Sequence, residues 1–210
     1  MSLSNQLKSR LCNLRKVSTR VTLPDGRVFQ EIDGKRVTED LPTLGFVADL
    51  KPDLQVGRVC DHLFIGSQDV ANDVSLLSRY GITDVLNVAA VANCQYPGVN
   101  YLVVAILDLP EEPLRDHFRQ CFDFIDQGIQ RKSSVLVHCN AGISRSASII
   151  VAYLMYRFKW SLDKALLAVK NARPSAQPNP GFLKQLLVYE QYLNSECSLS
   201  QAQLENNLID

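Results

Sequence analysis

Apolar positions are densest between Val135 and Tyr156. Val135-Leu136-Val137 is a short β-prone run, the residues from His138 to Arg145 are mostly small or polar, and Ser146 to Tyr156 is apolar on nearly every side. That order predicts a buried strand, a tight loop and a buried helix. Upstream, Val56 to Val59 and Leu63 to Ile65 read as short strands around a Cys60-Asp61-His62 turn, and Asn72 to Tyr80 as a helix closed by Gly81. Val85-Leu86-Asn87-Val88 and Tyr101 to Ile106 read as buried strands. From Pro113, the positions Leu114, Phe118, Cys121, Phe122, Ile125 and Ile129 form one helical stripe that ends before Ser133. Ser161 caps a further helix reaching to about Ala172, where Pro174 stops it. Asn179-Pro180 opens the last helix, with Phe182, Leu186, Tyr189 and Leu193 on one face and Leu183 and Leu187 widening it.

Strands alternating with helices predict an α/β fold, a mostly parallel central sheet flanked by helices. The folded domain is expected to span 53–194. Residues 1–52 form an N-terminal extension, polar and basic at first, with turn signals at Pro24-Asp25-Gly26 and Asp33-Gly34 between β-prone runs such as Arg27-Val28-Phe29. Isolated hairpins are marginal, so this extension is expected to be loosely structured, either a docking segment or a solvated tail. From Ser195 the apolar period is lost, and 195–210 is expected to be a flexible tail.

Composition narrows the classes. Lys+Arg and Asp+Glu both number 22, so no global field favours nucleic acid or an acidic membrane. No apolar run reaches the roughly 18 to 20 residues of a membrane span, and Met1-Ser2-Leu3-Ser4-Asn5 begins no signal peptide, so a soluble intracellular protein is expected. Six scattered cysteines without repeated CxxC spacing, and three distant histidines, argue against a zinc site and a disulfide framework. No metal or cofactor is expected.

The chemistry concentrates in the loop after Val137. A strand-to-helix loop points several backbone N–H groups at one spot, and the helix N-terminus adds partial positive charge, which makes a cradle for an anion. Asn140, Ala141, Gly142, Ile143, Ser144 and Arg145 are the candidate phosphate-binding residues; Gly142 supplies backbone freedom, and the Arg145 fork can hold two oxygens at once. The same field acts on Cys139 and favours a thiolate nucleophile. A free cysteine is more often a small core hydrophobe, and that reading suits most of the others. Cys12, Cys60, Cys94, Cys121 and Cys197 are followed six positions later by Ser18, Gly66, Asn100, Gln127 and Gln203, whereas Cys139 is followed by Arg145.

His138-Cys139-x-x-Gly142-x-x-Arg145-Ser146 resembles the signature of the cysteine-dependent protein phosphatases, and Ala152-Tyr153-Leu154-Met155 resembles their dual-specificity branch. The stretch from about Asp53 to Tyr192 resembles a small dual-specificity phosphatase domain. Asn13-Leu14-Arg15-Lys16, Asp53-Leu54-Gln55-Val56-Gly57 and Lys170-Asn171-Ala172-Arg173-Pro174-Ser175 are similar to an atypical member of the branch that acts in stress-activated kinase pathways. The resemblance implies a cysteine-dependent phosphatase fold and a shallow site open to phosphotyrosine and phosphoserine or phosphothreonine. It also implies phosphoprotein substrates, among them MAP kinase pathway kinases of the JNK branch, and cytoplasmic, and also nuclear, residence.

Expulsion of an alkoxide or phenoxide from phosphorus needs a proton donor on a loop that reaches the cradle. Asp108 follows the Tyr101 to Ile106 run, and its placement upstream of Cys139 resembles that of the family's general acid; Glu111 and Glu112 compete with it locally. The same carboxylate would act as base toward water in the second step. Ser146 either hydrogen-bonds the departing sulfur or is an ordinary small helix residue. His138 orients the loop, as the resemblance implies. Asn87 and Asn179 are supporting candidates that bond to the loop backbone, with helix capping the competing role for Asn179. Asn140, Ala141, Ile143 and Ser144 carry no charge, whereas the related inositol-lipid phosphatases tend to place Lys there, so phosphoprotein is favoured over phosphoinositide. A weakly active kinase scaffold or phosphoprotein-binding module is the rival class, and RNA-phosphate hydrolysis lacks a basic patch.

Overall fold

The computed structural model describes residues 18–22, 28–32, 35–40, 52–89 and 94–206, with side chains described within 52–89 and 94–195. The chain divides into two compact units, Met1–Lys51 and Pro52–Asp210. In the first, β1 (Ser18–Thr22), β2 (Val28–Ile32) and β3 (Lys35–Asp40) pair as an antiparallel sheet in the order β1-β2-β3, with a register shift between Gln30 and Glu31. The β-prone runs therefore pair with one another, as a third strand makes feasible. The turn signals at 24–26 and 33–34 lie outside the described residues.

The second unit is built on a five-stranded sheet. Its strands are β4 (Gly57–Cys60), β5 (Leu63–Gly66), β6 (Ile82–Asn87), β7 (Asn100–Val103) and β8 (Ser134–His138), in the order β4-β5-β8-β6-β7. β4 runs antiparallel to β5, while β5–β8, β8–β6 and β6–β7 are parallel, so the sheet is mixed and mostly parallel. β8 lies between two strands and beneath helices on both faces, which is why its sequence is an unbroken apolar run. Leu136 faces a core with Phe64, Val70, Leu77 and Val85, while Val135 and Val137 face the larger core on the opposite side.

The helices are α1 (Gln68–Ala71), α2 (Val74–Arg79), α3 (Leu114–Gln130), α4 (Arg145–Phe158), α5 (Leu162–Ala172) and α6 (Pro180–Asn206). α4 is buried continuously from Ser146 to Met155, as expected of a helix apolar on every side.

Three expectations are corrected, and one element is added. The helix expected over Asn72 to Tyr80 is α2, with Asp73 as its N-cap and Tyr80 as its C-cap; the added element is α1 ahead of it, which the Ser67 side chain starts separately by accepting backbone N–H groups. The strand expected through Ile106 ends at Val103, and β7 is a sheet edge with Val103 half exposed. Leu187 is also half exposed; Phe182, Leu186, Tyr189 and the partly buried Leu193 seat α6. Finally, α6 runs past Ser195 to Asn206, where the loss of apolar period predicts a tail.

Candidate active site

Three parallel strands deliver their carboxyl ends to one place. His138 at the end of β8 is in register with Gly66 of β5 and Asn87 of β6, and the loops that follow meet there, where open α/β sheets bind ligands. The Val88 N–H donates to the His138 carbonyl at 2.9 Å. His138 itself is buried, and burial pushes its pKa down to about 4, so the ring is neutral at physiological pH. Its Nδ1 lies 3.1 Å from the Cys139 carbonyl oxygen; because that oxygen can only accept, Nδ1 carries the proton. A neutral ring donating to the loop backbone fits an orienting part better than that of a cation or base.

The loop from Asn140 to Ser144 has each of its carbonyls anchored. Asn140 O accepts from the Gln68 N–H at 2.9 Å, and Ile143 O from the Gln177 N–H at 2.8 Å. Ala141 O accepts from Arg173 Nη2 at 2.7 Å and Gly142 O from Arg173 Nε at 2.8 Å. Ser144 O accepts from the Ser148 N–H at 2.9 Å and its hydroxyl at 2.8 Å. In a trans peptide the following N–H points opposite to the carbonyl, so anchoring the carbonyls outward turns the N–H groups of 141–145 toward the loop's concave side. Gly142 has φ +66°, and a Cβ there would stand 2.3 Å from the Gly66 carbonyl oxygen, so the position requires glycine.

Cys139 is 2% exposed at the start of this loop, with Sγ 3.4 Å from the Ser146 hydroxyl. Arg145 opens α4. Its Nη1 donates to the Ile106 carbonyl at 3.2 Å, and its Nε lies 3.7 Å from Asp108 Oδ2, an ion-pair separation too long for a hydrogen bond. That Nε is buried and meets no hydrogen-bond partner among the described residues. A buried guanidinium N–H left so is costly, and an oxyanion in the cradle would satisfy it.

Asp108 reaches the loop from between β7 and α3. Its Oδ1 accepts from the Ser144 hydroxyl at 2.7 Å and from Asn179 Nδ2 at 2.8 Å. Asn179 also donates its N–H to Ser144 Oγ at 3.1 Å, and its Oδ1 accepts the Phe182 N–H at 2.9 Å, capping α6. One residue thus serves as cap and as support for the carboxylate; its amide goes to Asp108 rather than to the loop backbone expected from sequence. The start of α6 can sit this close because residue 181 is glycine: a Cβ there would lie 2.2 Å from the Pro110 carbonyl oxygen. Of the competing carboxylates, Glu112 is paired with His117 Nε2 at 3.0 Å and Glu111 is exposed, whereas Asp108 touches Ser144 and approaches Arg145. Asn87 Oδ1 accepts the Ala89 N–H at 2.8 Å, shaping the turn after β6.

Arg173, Asp53 and Gln55 stand in stretches that carry the resemblance, but the sequence alone assigns them no part in the site. Arg173 is fully buried and also donates through Nη1 to the Gln55 carbonyl at 2.9 Å and through Nη2 to the Asp53 carboxylate.

A cysteine at the head of a loop with outward carbonyls, an arginine opening the next helix and an aspartate reaching in from the loop between β7 and α3 form the arrangement expected of one class of enzyme, and similarity agrees on the class. Residues 63–192 match the family model for the dual specificity phosphatase catalytic domain, and the chain belongs to that family as a protein phosphatase. It is 44% identical over 186 residues to dual specificity protein phosphatase 19 of Mus musculus, a match covering 85% of this chain and 84% of the mouse protein. Among solved structures, a mouse putative dual specificity phosphatase complexed with zinc tungstate is 39% identical, with a TM-score of 0.65 over 74% of this chain and 97% of that one. Human DUSP28 is likewise 39% identical, with a TM-score of 0.64 over 67% of this chain and 95% of its own.

Proposed function

We propose that this phosphatase hydrolyses phosphotyrosine and phosphoserine or phosphothreonine in proteins through a cysteinyl-phosphate intermediate. The reading is carried by one observation: Cys139 starts a loop whose five successive carbonyls are anchored outward, and the loop leads into Arg145, whose buried Nε meets no hydrogen-bond partner among the described residues. The inward amides and the Arg145 fork hold the non-bridging phosphate oxygens, more tightly as charge spreads over them in the transition state. A sulfur lone pair forms the P–S bond while the P–O bond to the substrate side chain breaks.

The oxygen that leaves takes a proton from Asp108. Because Oδ1 is already an acceptor for two donors, the acid proton resides on Oδ2, the oxygen facing Arg145. In the second step water gives its proton to the Asp108 carboxylate and attacks phosphorus; the P–S bond breaks, and the Ser146 hydroxyl donates to the released thiolate. His138, neutral, holds the loop through the Cys139 carbonyl.

The uncharged loop side chains support phosphoprotein over phosphoinositide, and the tungstate complex of the mouse relative supports capture of a tetrahedral oxyanion here. Resemblance to an atypical branch member supports action on stress-activated MAP kinase pathway kinases of the JNK branch, in the cytoplasm and nucleus. The test is hydrolysis of a phosphopeptide panel by wild type and Cys139→Ser, with partners trapped by the variant identified. Turnover of tyrosyl and threonyl phosphopeptides by wild type alone is expected. Binding without turnover by either protein would move the reading to a scaffold.

A further inference from the structure

Arg173 lies outside the cysteine loop in sequence and beneath it in space. It ends α5, its own N–H donating to the Val169 carbonyl at 2.9 Å, and its guanidinium is completely buried. One edge of the fork, Nε and Nη2, takes the successive carbonyls of Gly142 and Ala141 at 2.8 and 2.7 Å. The other donors take the Gln55 carbonyl and the Asp53 carboxylate. A buried guanidinium is tolerated only when its charge and donors are matched, and Asp53 with three carbonyls does this.

Asp53 is in turn fixed. Its N–H donates to Asp69 Oδ2 at 2.8 Å, and its carbonyl accepts the Ser67 hydroxyl at 2.6 Å. Ser67 caps α1, whose first residue, Gln68, donates its N–H to the Asn140 carbonyl. Residues 53–68 therefore hold three consecutive loop carbonyls, Asn140 directly and Ala141 and Gly142 through Arg173.

The consequence lies in the peptides on either side of Gly142. Glycine crosses between backbone basins at little steric cost, so these are the peptides freest to rotate. If either turned over, a carbonyl oxygen would replace an N–H on the concave side, and the cradle would repel the phosphate it now attracts. We propose that Arg173 is a positioning residue that locks both peptides with their N–H groups inward, and that Asp53 and Gln55 hold the lock. The first residues of the second unit are thereby part of the phosphate site's scaffold, although they touch no substrate. Lysine cannot replace this arginine, since a point charge does not reach two successive carbonyls and two further acceptors at once.

The inference rests on the phosphatase reading, and a test in the full-length chain separates the two. Arg173→Lys, Arg173→Met and Asp53→Ala are compared with wild type for kcat/KM on an aryl phosphate, for tungstate affinity by calorimetry and for urea midpoint. Positioning predicts that kcat/KM and tungstate affinity fall together in the folded enzyme, by about tenfold in Arg173→Lys and on the order of 10²-fold in Arg173→Met, the scale of a small misplacement of catalytic groups. Asp53→Ala should move both the same way by a smaller factor. A lower urea midpoint with wild-type kcat/KM and tungstate affinity in the folded fraction would overturn the proposal. If Arg173→Met does not fold, Arg173→Lys and Asp53→Ala decide. If the wild type binds tungstate but hydrolyses nothing, the phosphatase reading fails, while tungstate affinity in the variants still decides whether Arg173 sets the loop.

Discussion

His138 makes the stability of the second unit depend on pH in a calculable way. In the unfolded chain its imidazole takes a proton near its ordinary value of 6.5, whereas burial at the end of β8 holds the folded pKa down to about 4. Between those values the unfolded state binds a proton that the folded state does not, so stability rises with pH across that window and is lost as pH falls through it. Taking the two titrations together, acidification from pH 7.5 to pH 5.0 should remove about 2 kcal/mol, and the loss should level off near 3 kcal/mol below pH 4. Replacing the ring by a group that does not titrate, His138→Gln, carries a cost of its own. That cost is the same at both pH values and cancels in the comparison. The assay is urea unfolding followed by fluorescence of Trp160, the single tryptophan, which packs on Phe158 in this unit. Wild type should lose about 2 kcal/mol more than His138→Gln between the two pH values. Equal losses would mean that His138 is protonated in the folded protein near neutral pH, and the orienting role of a neutral ring would fall with it.

Other perturbations act on the chemistry. Arg145→Lys keeps the charge but not the fork, and kcat/KM on an aryl phosphate should drop by roughly 10²-fold or more; comparable values for the two proteins would remove its assigned role. Asp108→Asn should lower rates by about 10² to 10⁴ for poor leaving groups and by much less for good ones; a uniform loss would point to Glu111 or Glu112. Asn179→Ala removes a donor to Asp108 and the cap of α6, so it should cost about 1 kcal/mol of stability and show a weaker version of the same leaving-group dependence, whereas a pure cap would leave that dependence at wild type.

What the sequence discloses follows the range of the interactions. Cys139, Gly142, Arg145 and Ser146 are legible because one strand, loop and helix place them together within eight residues. The stripes of α3 and α4 are legible because helix period is local. Arg173 meets Asp53 across 120 residues, and no spacing rule reaches that far. The break between α1 and α2 turns on whether Asp73 continues a helix or caps one, and its two backbone acceptor bonds decide for the cap. Asn179 was ambiguous between cap and site residue because its amide has two ends, and the fold uses both. β7 reads as buried from its composition, yet edge position is a property of strand order, which composition does not carry.

The central claim, covalent catalysis by Cys139, is tested most directly by looking for the intermediate. Wild type is mixed with a phosphotyrosyl peptide, quenched within the first turnover and digested, and the peptide containing Cys139 is analysed by mass spectrometry. Phosphate bound to the Cys139 sulfur, accumulating in step with the first dephosphorylated product and absent from Cys139→Ser, is the predicted result. Undiminished turnover by Cys139→Ser, or product formed in the first turnover with no phosphocysteine at any quench time, would contradict it.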